Sequence, residues 1–171
     1  MKKHPFLQVD YHSTVKISPS EERQMKRYLQ IAGEVLHNLF KKKIIPASVK
    51  KLEVSLLICG DARIRELNRE YRLKDKVTDV LSFPAHEDLR KRIFKGDVLF
   101  LGDLAICHPQ TKRQARQFDI TYWDEFIHLF FHGVIHLLGY DHEVSAEEEE
   151  LMEGWEQEAL KKFSQLKKRA R

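Results

Sequence analysis

The apolar positions of the chain change period several times, and each change marks an element. Phe6, Val9, Tyr11, Thr14 and Val15 favour β structure, so the stretch from Phe6 to Val15 reads as a short first strand. Met25, Tyr28, Leu29, Ile31, Ala32, Val35, Leu36, Leu39 and Phe40 then recur at helical spacing. The start of this helix is signalled locally. Ser18 can cap it, Pro19 suits its first position, and Glu21 stands three residues after Ser18 to complete a capping box. Lys41, Lys42 and Lys43 match the negative end of its dipole.

Leu52 to Cys59 alternates at Leu52, Val54 and Leu56 and then becomes wholly apolar, as in a buried strand. Gly60-Asp61 ends it, and Asp61 can cap a second helix through Ile64, Leu67 and Tyr71. Val77 to Phe83 and Gly96 to Cys107 read as two more strands, the second bent or bulged at Gly102-Asp103. The polar stretch Pro84 to Lys95 between them is expected to be a mobile loop. From Thr111 the pattern is helical, pausing near Asp119-Ile120 and stopping at Gly139. A last amphipathic helix, Ser145 to about Leu166, opens with glutamates and closes with lysines. Without a repeat or a linker, this order predicts one α+β domain over residues 1–171, its sheet and helices in two layers. Its basic end, 161–171, is expected to be mobile.

Composition narrows the class. The 171 residues are 42% apolar and 33% charged, which allows a real core. Thirty basic against 26 acidic side chains leave a formal charge of +4, compatible with a phosphate-rich partner but too small to establish one. Two cysteines, Cys59 and Cys107, lie far apart in apolar runs. That excludes a disulfide framework or a cysteine-rich zinc finger and suits a reducing cytoplasm. No signal-peptide core follows Met1-Lys2-Lys3, and no apolar run is long enough for a membrane helix, so a cytoplasmic protein without a membrane partner is expected.

The candidate chemistry lies in the segment from Phe126 to His142, which holds four of the nine histidines in a strongly apolar helix. His132 and His136, four residues apart, share a helical face. Gly139 can turn the chain back, so that His142 joins them and three imidazoles converge on one ion with a coordination position open, as in a catalytic zinc site. The pattern His-x-x-x-His-x-x-Gly-x-x-His has metzincin protease spacing, and the helix is zincin-like. Gly133, however, stands where those proteases carry the glutamate base. Gly133 is read as leaving room beside the metal for a bulky group such as a phosphodiester, with tight helix packing as the alternative.

Three blocks carry a resemblance. His132-Gly133-Val134-Ile135-His136-Leu137-Leu138-Gly139-Tyr140-Asp141-His142, the run from Leu67 to Pro84 (Leu-Asn-Arg-Glu-Tyr-Arg-Leu-Lys-Asp-Lys-Val-Thr-Asp-Val-Leu-Ser-Phe-Pro), and Leu101-Gly102-Asp103-Leu104-Ala105-Ile106 are similar to the YbeY family of bacterial endoribonucleases. The resemblance implies a compact α+β fold around a small mixed sheet and one zinc ion per chain bound by His132, His136 and His142. It also implies metal-dependent cleavage of single-stranded RNA. The implied role is ribosomal RNA maturation, notably at the 3′ end of the small-subunit RNA, with ribosome quality control. Partners would be ribosomal RNA and the small ribosomal subunit or assembly factors. Arg72 matches the family's invariant arginine near the metal and is assigned to the phosphate, for which its planar fork of donors is suited. Without that match Arg72 would read as a helix-end residue pairing with Glu70 or Asp75.

Of the remaining residues, His128 reads as a packed helix histidine, with a partner behind the metal ligands or a proton carrier as the alternative. Asp141 reads as either a ligand-orienting or a turn residue. Thr78, Asp79 and Ser82 sit on a strand that could line the cleft. Cys59 and Cys107 read as inert, and Trp123 and Trp155 as packing residues. Basic groups at 41–43, 50–51, 90–92, 112–116 and 161–171 form an RNA track only if they converge. Two other functions fit the residues. One is a metallopeptidase-like hydrolase. The other is a non-catalytic, zinc-stabilised ribosome-assembly protein, in which a fourth protein ligand would fill the open position.

Overall fold

Leu52, Val54, Leu56 and Ile58 alternate along a central strand, and all four are buried. In the computed structural model, which describes residues 6–41, 44–87, 89, 94–141 and 144–169, this strand is β2 (Lys51–Cys59) of a four-stranded sheet. It is flanked by β1 (Leu7–Ser13) and β4 (Val98–Cys107), both parallel to it. β3 (Val80–Pro84) pairs antiparallel with β4 and forms an outer edge. The sheet is therefore mixed, in the order β1-β2-β4-β3.

Leu104 and Ile106 of β4 face the large core, whereas Ala105 and Cys107 face a smaller one, as the two-residue period of a strand requires. On the first face lie α1 (Pro19–Phe40), α4 (Tyr122–Leu137) and α5 (Ala146–Arg169). On the other face α2 (Asp61–Arg72) packs Ile64 and Leu67 against Leu81, Cys59 and Cys107. The sheet thus carries helices on both faces, rather than forming two layers. α3 (His108–Gln117) links β4 to α4 through a turn in which Asp119 takes φ 53°.

Local signals placed the helix starts well. Ser18 caps α1, and both halves of its capping box with Glu21 are made. Thr121 caps α4 by accepting from the Asp124 N–H (3.1 Å). Asp61 is not a cap. Gly60 holds that place without a side-chain bond, and Asp61 is the first helical residue, its carboxylate held by Arg113 at 2.7 and 3.0 Å. β3 begins three residues later than the pattern suggested, after Asp79 accepts from the Val80 N–H (2.8 Å). α3 starts at His108, three residues early, with Pro109 in its first turn and Thr111 donating to the Cys107 carbonyl (2.8 Å).

α5 continues to Arg169. Residues 161–169, expected to be mobile, are helical, and Lys167 Nζ bonds Asp124 (2.8 Å) over the ring of Tyr28. Of the polar segment Pro84–Lys95, residues 88 and 90–93 fall outside the described part. Cys59 and Cys107 are buried, and burial pushes their thiols up to about 11 and about 12, which makes them unreactive.

The expected bulge falls in β4. Glu53 pairs with Phe100 and Val54 with Gly102, leaving Leu101 as the extra residue. Gly102 takes φ 137°, and a Cβ there would lie 2.2 Å from the Phe83 carbonyl oxygen. Gly102→Ala is therefore expected to destabilise the fold by about 2–3 kcal/mol, read as a lowered midpoint in urea unfolding.

Candidate functional site

α4 is apolar on most of its surface, with Phe126, Phe130, Phe131, Val134 and Ile135 fully buried. His132 and His136 leave that core on one side and face a cleft of ≈280 Å³ along the free edge of β3. Arg72 and Lys74 and Lys76 line it from α2 and the turn that follows, and residues 78–82 run along it. Asp141 reaches it from beyond α4. A broader depression on α5, lined by Glu147, Glu150, Leu151, Gly154, Trp155 and Glu158, touches none of these groups.

Hydrogen bonds decide the protonation of the two rings. His136 Nδ1 lies 2.9 Å from the carbonyl oxygen of Tyr140, which can only accept, so this nitrogen carries a proton. His132 Nδ1 lies 2.6 Å from Glu156 Oε1 and donates to it. In the neutral rings both Nε2 atoms then carry lone pairs, and they stand 3.2 Å apart. Two such lone pairs face one another favourably only with a metal ion or a shared proton between them. Two imidazoles on a tetrahedral zinc, with bonds of 2.0–2.1 Å, would have nitrogens about 3.3 Å apart. The donor set therefore fits a borderline-soft divalent metal. Among the described residues no group of three His, Cys, Asp or Glu side chains is placed to hold a metal ion. His142, the third expected ligand, lies outside the described residues.

The turn after α4 follows from Gly139. Its φ of 102° lets the Gly139 N–H bond the His136 carbonyl and the Tyr140 N–H bond the Ile135 carbonyl, a Schellman ending. That ending brings the Tyr140 carbonyl onto His136. Gly133 serves a different purpose from the open space read from sequence. A Cβ there would meet Leu104 at 2.7 Å and Ser82 Oγ at 3.3 Å, so the missing side chain lets α4 lie close on β3 and β4. Tight packing, the alternative, is what the position serves.

Behind His132 runs a line of charge. Glu156, on α5, also stands 3.6 Å from His128 Nε2, and His128 Nδ1 is 3.4 Å from the buried Glu125. Burial pushes the Glu156 carboxyl up, but hydrogen bonds from His128 and His132 outweigh it and hold it well below the carboxylate range. His128 is raised, by Glu125 first and Glu156 second, against burial. His128 therefore bridges two carboxylates rather than simply packing.

Arg72 does not pair with Asp75, which Arg65 holds with two bonds of 2.8 Å. Its Nη2 instead reaches the carbonyl of Ser82 (3.4 Å), which brings the guanidinium over β3 into the histidine cleft. Thr78, Asp79 and Ser82 line that cleft, although only Ser82 lies in β3 and the other two precede it. Trp123 and Trp155 pack edge-on or tilted against Tyr28 and Phe40. Glu156, Glu125, Lys74 and Lys76 were not singled out from sequence. For Glu156 a signal existed: it sits on α5 one residue after Trp155, on the side marked by the buried Met152, Ala159 and Phe163. Glu125 is likewise an acid within an apolar helix.

The model of the Endoribonuclease YbeY family matches residues 15–164. An Endoribonuclease YbeY of Aquifex aeolicus is 43% identical over 145 residues, 77% of this chain and 93% of that one. Its counterpart in Thermodesulfovibrio yellowstonii is 37% identical over 148 residues, 85% and 89% of the two chains. The solution structure of a Thermotoga maritima protein superposes with a TM-score of 0.56 at 24% identity, covering 92% of this chain and 88% of that one, and so shares the fold.

The Glu125–His128 contact sets a pH dependence. A histidine whose folded pKa is raised contributes stability that is complete below its unfolded value, about 6.5, and lost as the pH rises through the folded value. An NMR titration is expected to find His128 still protonated at about pH 7.5, where an ordinary histidine is neutral, and Glu125→Gln should lower its midpoint.

Proposed function

The chain belongs to the endoribonuclease YbeY family, and on that premise we propose that it is a zinc-dependent endoribonuclease that cleaves single-stranded ribosomal RNA. His132, His136 and His142 hold the ion in this reading, one per chain. The substrate is the 3′ end of the small-subunit RNA, met in the cytoplasm during ribosome maturation and quality control, with the small subunit or assembly factors as partners. Among the described residues no helix is long and apolar enough to cross a membrane.

One observation carries the metal assignment. With both Nδ1 atoms committed as donors, the neutral rings have only their Nε2 lone pairs, 3.2 Å apart, to offer an ion. A zinc ion held there would supply Lewis-acid charge to a phosphoryl oxygen. The protein's own residues do the rest. Glu156 fixes the ring of His132, and the Tyr140 carbonyl fixes that of His136, so neither reorients when substrate arrives. Arg72, steadied by the Ser82 carbonyl, presents a permanently charged fork to the phosphate and to the charge that grows on it during cleavage.

The peptidase reading loses its ground at position 133. A glutamate there would begin with a Cβ 2.7 Å from Leu104, in the core contact between α4 and the sheet. The open strip along β3, with a cationic wall opposite the histidines, fits a polyanionic strand.

The test is cleavage of a labelled single-stranded RNA by zinc-loaded protein. Arg72→Ala should lower the rate about 10²–10³-fold while the protein keeps its zinc, and His136→Ala should lose both zinc and activity. Cleavage of an unfolded polypeptide instead of RNA, or full activity in Arg72→Ala, would overturn the assignment.

A further inference from the structure

The end of α2 carries groups that the hydrolytic site leaves unused. Tyr71 is 58% exposed and Leu73 90% exposed, one on each side of Arg72 in the chain. The Tyr71 ring meets Phe83 edge to face, centroids 5.1 Å apart, while Arg72 reaches the carbonyl of the preceding Ser82. Two successive side chains of α2 thus contact two successive residues of β3, and the tyrosine stands beside the arginine of the cleft. Lys74 and Lys76 follow, both exposed and both on the cleft wall. Neither has a carboxylate partner among the described residues, and Asp75 between them is occupied by Arg65.

This turn is built to hold its shape. Leu73 adopts φ 57°, a conformation that helix ends normally give to glycine or asparagine. It is kept there from beneath. The N–H groups of Leu73 and Lys74 both donate to the Asn68 carbonyl, and the buried Asn68 side chain donates to the Lys76 carbonyl at 2.9 Å. None of these bonds uses the side chains of residues 71, 73, 74 or 76. A bulky apolar residue in a left-handed position, nearly fully exposed beside a charged cleft, contributes nothing to the core.

An exposed aromatic ring, an exposed branched side chain and three cations in six residues match the chemistry of an unpaired polynucleotide, which offers phosphates to cations and base faces to rings. In a duplex those base faces are already stacked. Resting on the endoribonuclease reading above, we propose that Tyr71 and Leu73 form a base-stacking subsite for an unpaired nucleotide next to the phosphate held by Arg72. Lys74 and Lys76 take flanking phosphates, and this subsite is what discriminates single strands from duplex.

The test uses the full chain and a fluorescent single-stranded 2′-O-methyl RNA oligonucleotide, with a hairpin that carries the same sequence paired in its stem as competitor. Cleavage of unmodified RNA is followed alongside. Tyr71→Leu keeps an apolar contact on Phe83 but removes the ring; it should bind the single strand about tenfold more weakly and leave hairpin binding unchanged. Tyr71→Phe and Tyr71→Trp should bind as wild type does, and each of Lys74→Ala and Lys76→Ala should reduce the slope of log affinity against log salt by about 0.7. Wild-type affinity in Tyr71→Leu overturns the proposal, as does an equal loss for strand and hairpin, or no binding by the wild type. Wild-type protein that binds the oligonucleotide but cuts no RNA overturns the endoribonuclease reading instead, and leaves the stacking result to be judged by the variants.

Discussion

The site turns on a conflict between two nitrogen lone pairs. His132 and His136 are each obliged to keep a proton on Nδ1, because one faces a carboxylate and the other a backbone carbonyl. In the neutral rings their Nε2 atoms then face one another, 3.2 Å apart, from a buried helix. The bonds that create the conflict come from separate places: Glu156 from α5, and the Tyr140 carbonyl from the turn that Gly139 makes possible. Much of the surrounding packing keeps this arrangement in place. Gly133 lets α4 settle on Leu104, and Met152, Ala159 and Phe163 seat α5 so that Glu156 reaches His132.

The second constraint is topological. β3 is short, antiparallel and at the edge of the sheet, with α2 on one face and α4 on the other. An edge strand leaves room for a ligand to run along it, and here both helices turn polar groups toward that edge. The bulge at Gly102 shapes the same region, since the glycine lies against the Phe83 carbonyl and the Leu137 side chain. Arg72 of α2 and His132 of α4, 60 residues apart in sequence, therefore meet across the outermost strand.

What could be read in advance was local. The capping box at Ser18, the bulge at Gly102 and the stop at Gly139 depend on neighbours a few residues away, so their signals survive in a linear text. The i, i+4 pairing of His132 and His136 is of the same kind. Residues whose meaning depends on a distant partner were harder. Asp61 looked like a cap and is instead an ion-pair partner of Arg113, 52 residues away. Gly133 looked like space beside a metal because the sheet beneath it was not in view. Glu125 and Glu156 looked like ordinary helix acids because nothing local says that His128 and His132 lie against them. Arg72 was legible only through resemblance, since its local options, Glu70 and Asp75, were equally good on paper.

In the proposed site the two Nε2 atoms share one ion while both Nδ1 atoms stay protonated. Nitrogen-15 NMR of the histidine side chains, recorded before and after one equivalent of zinc, reads both nitrogens of each ring. Nε2 of His132 and of His136 should shift together on zinc addition, with Nδ1 of both rings protonated throughout. Nε2 protons that persist in both rings with zinc present, or a zinc-dependent shift at Nδ1, would contradict it.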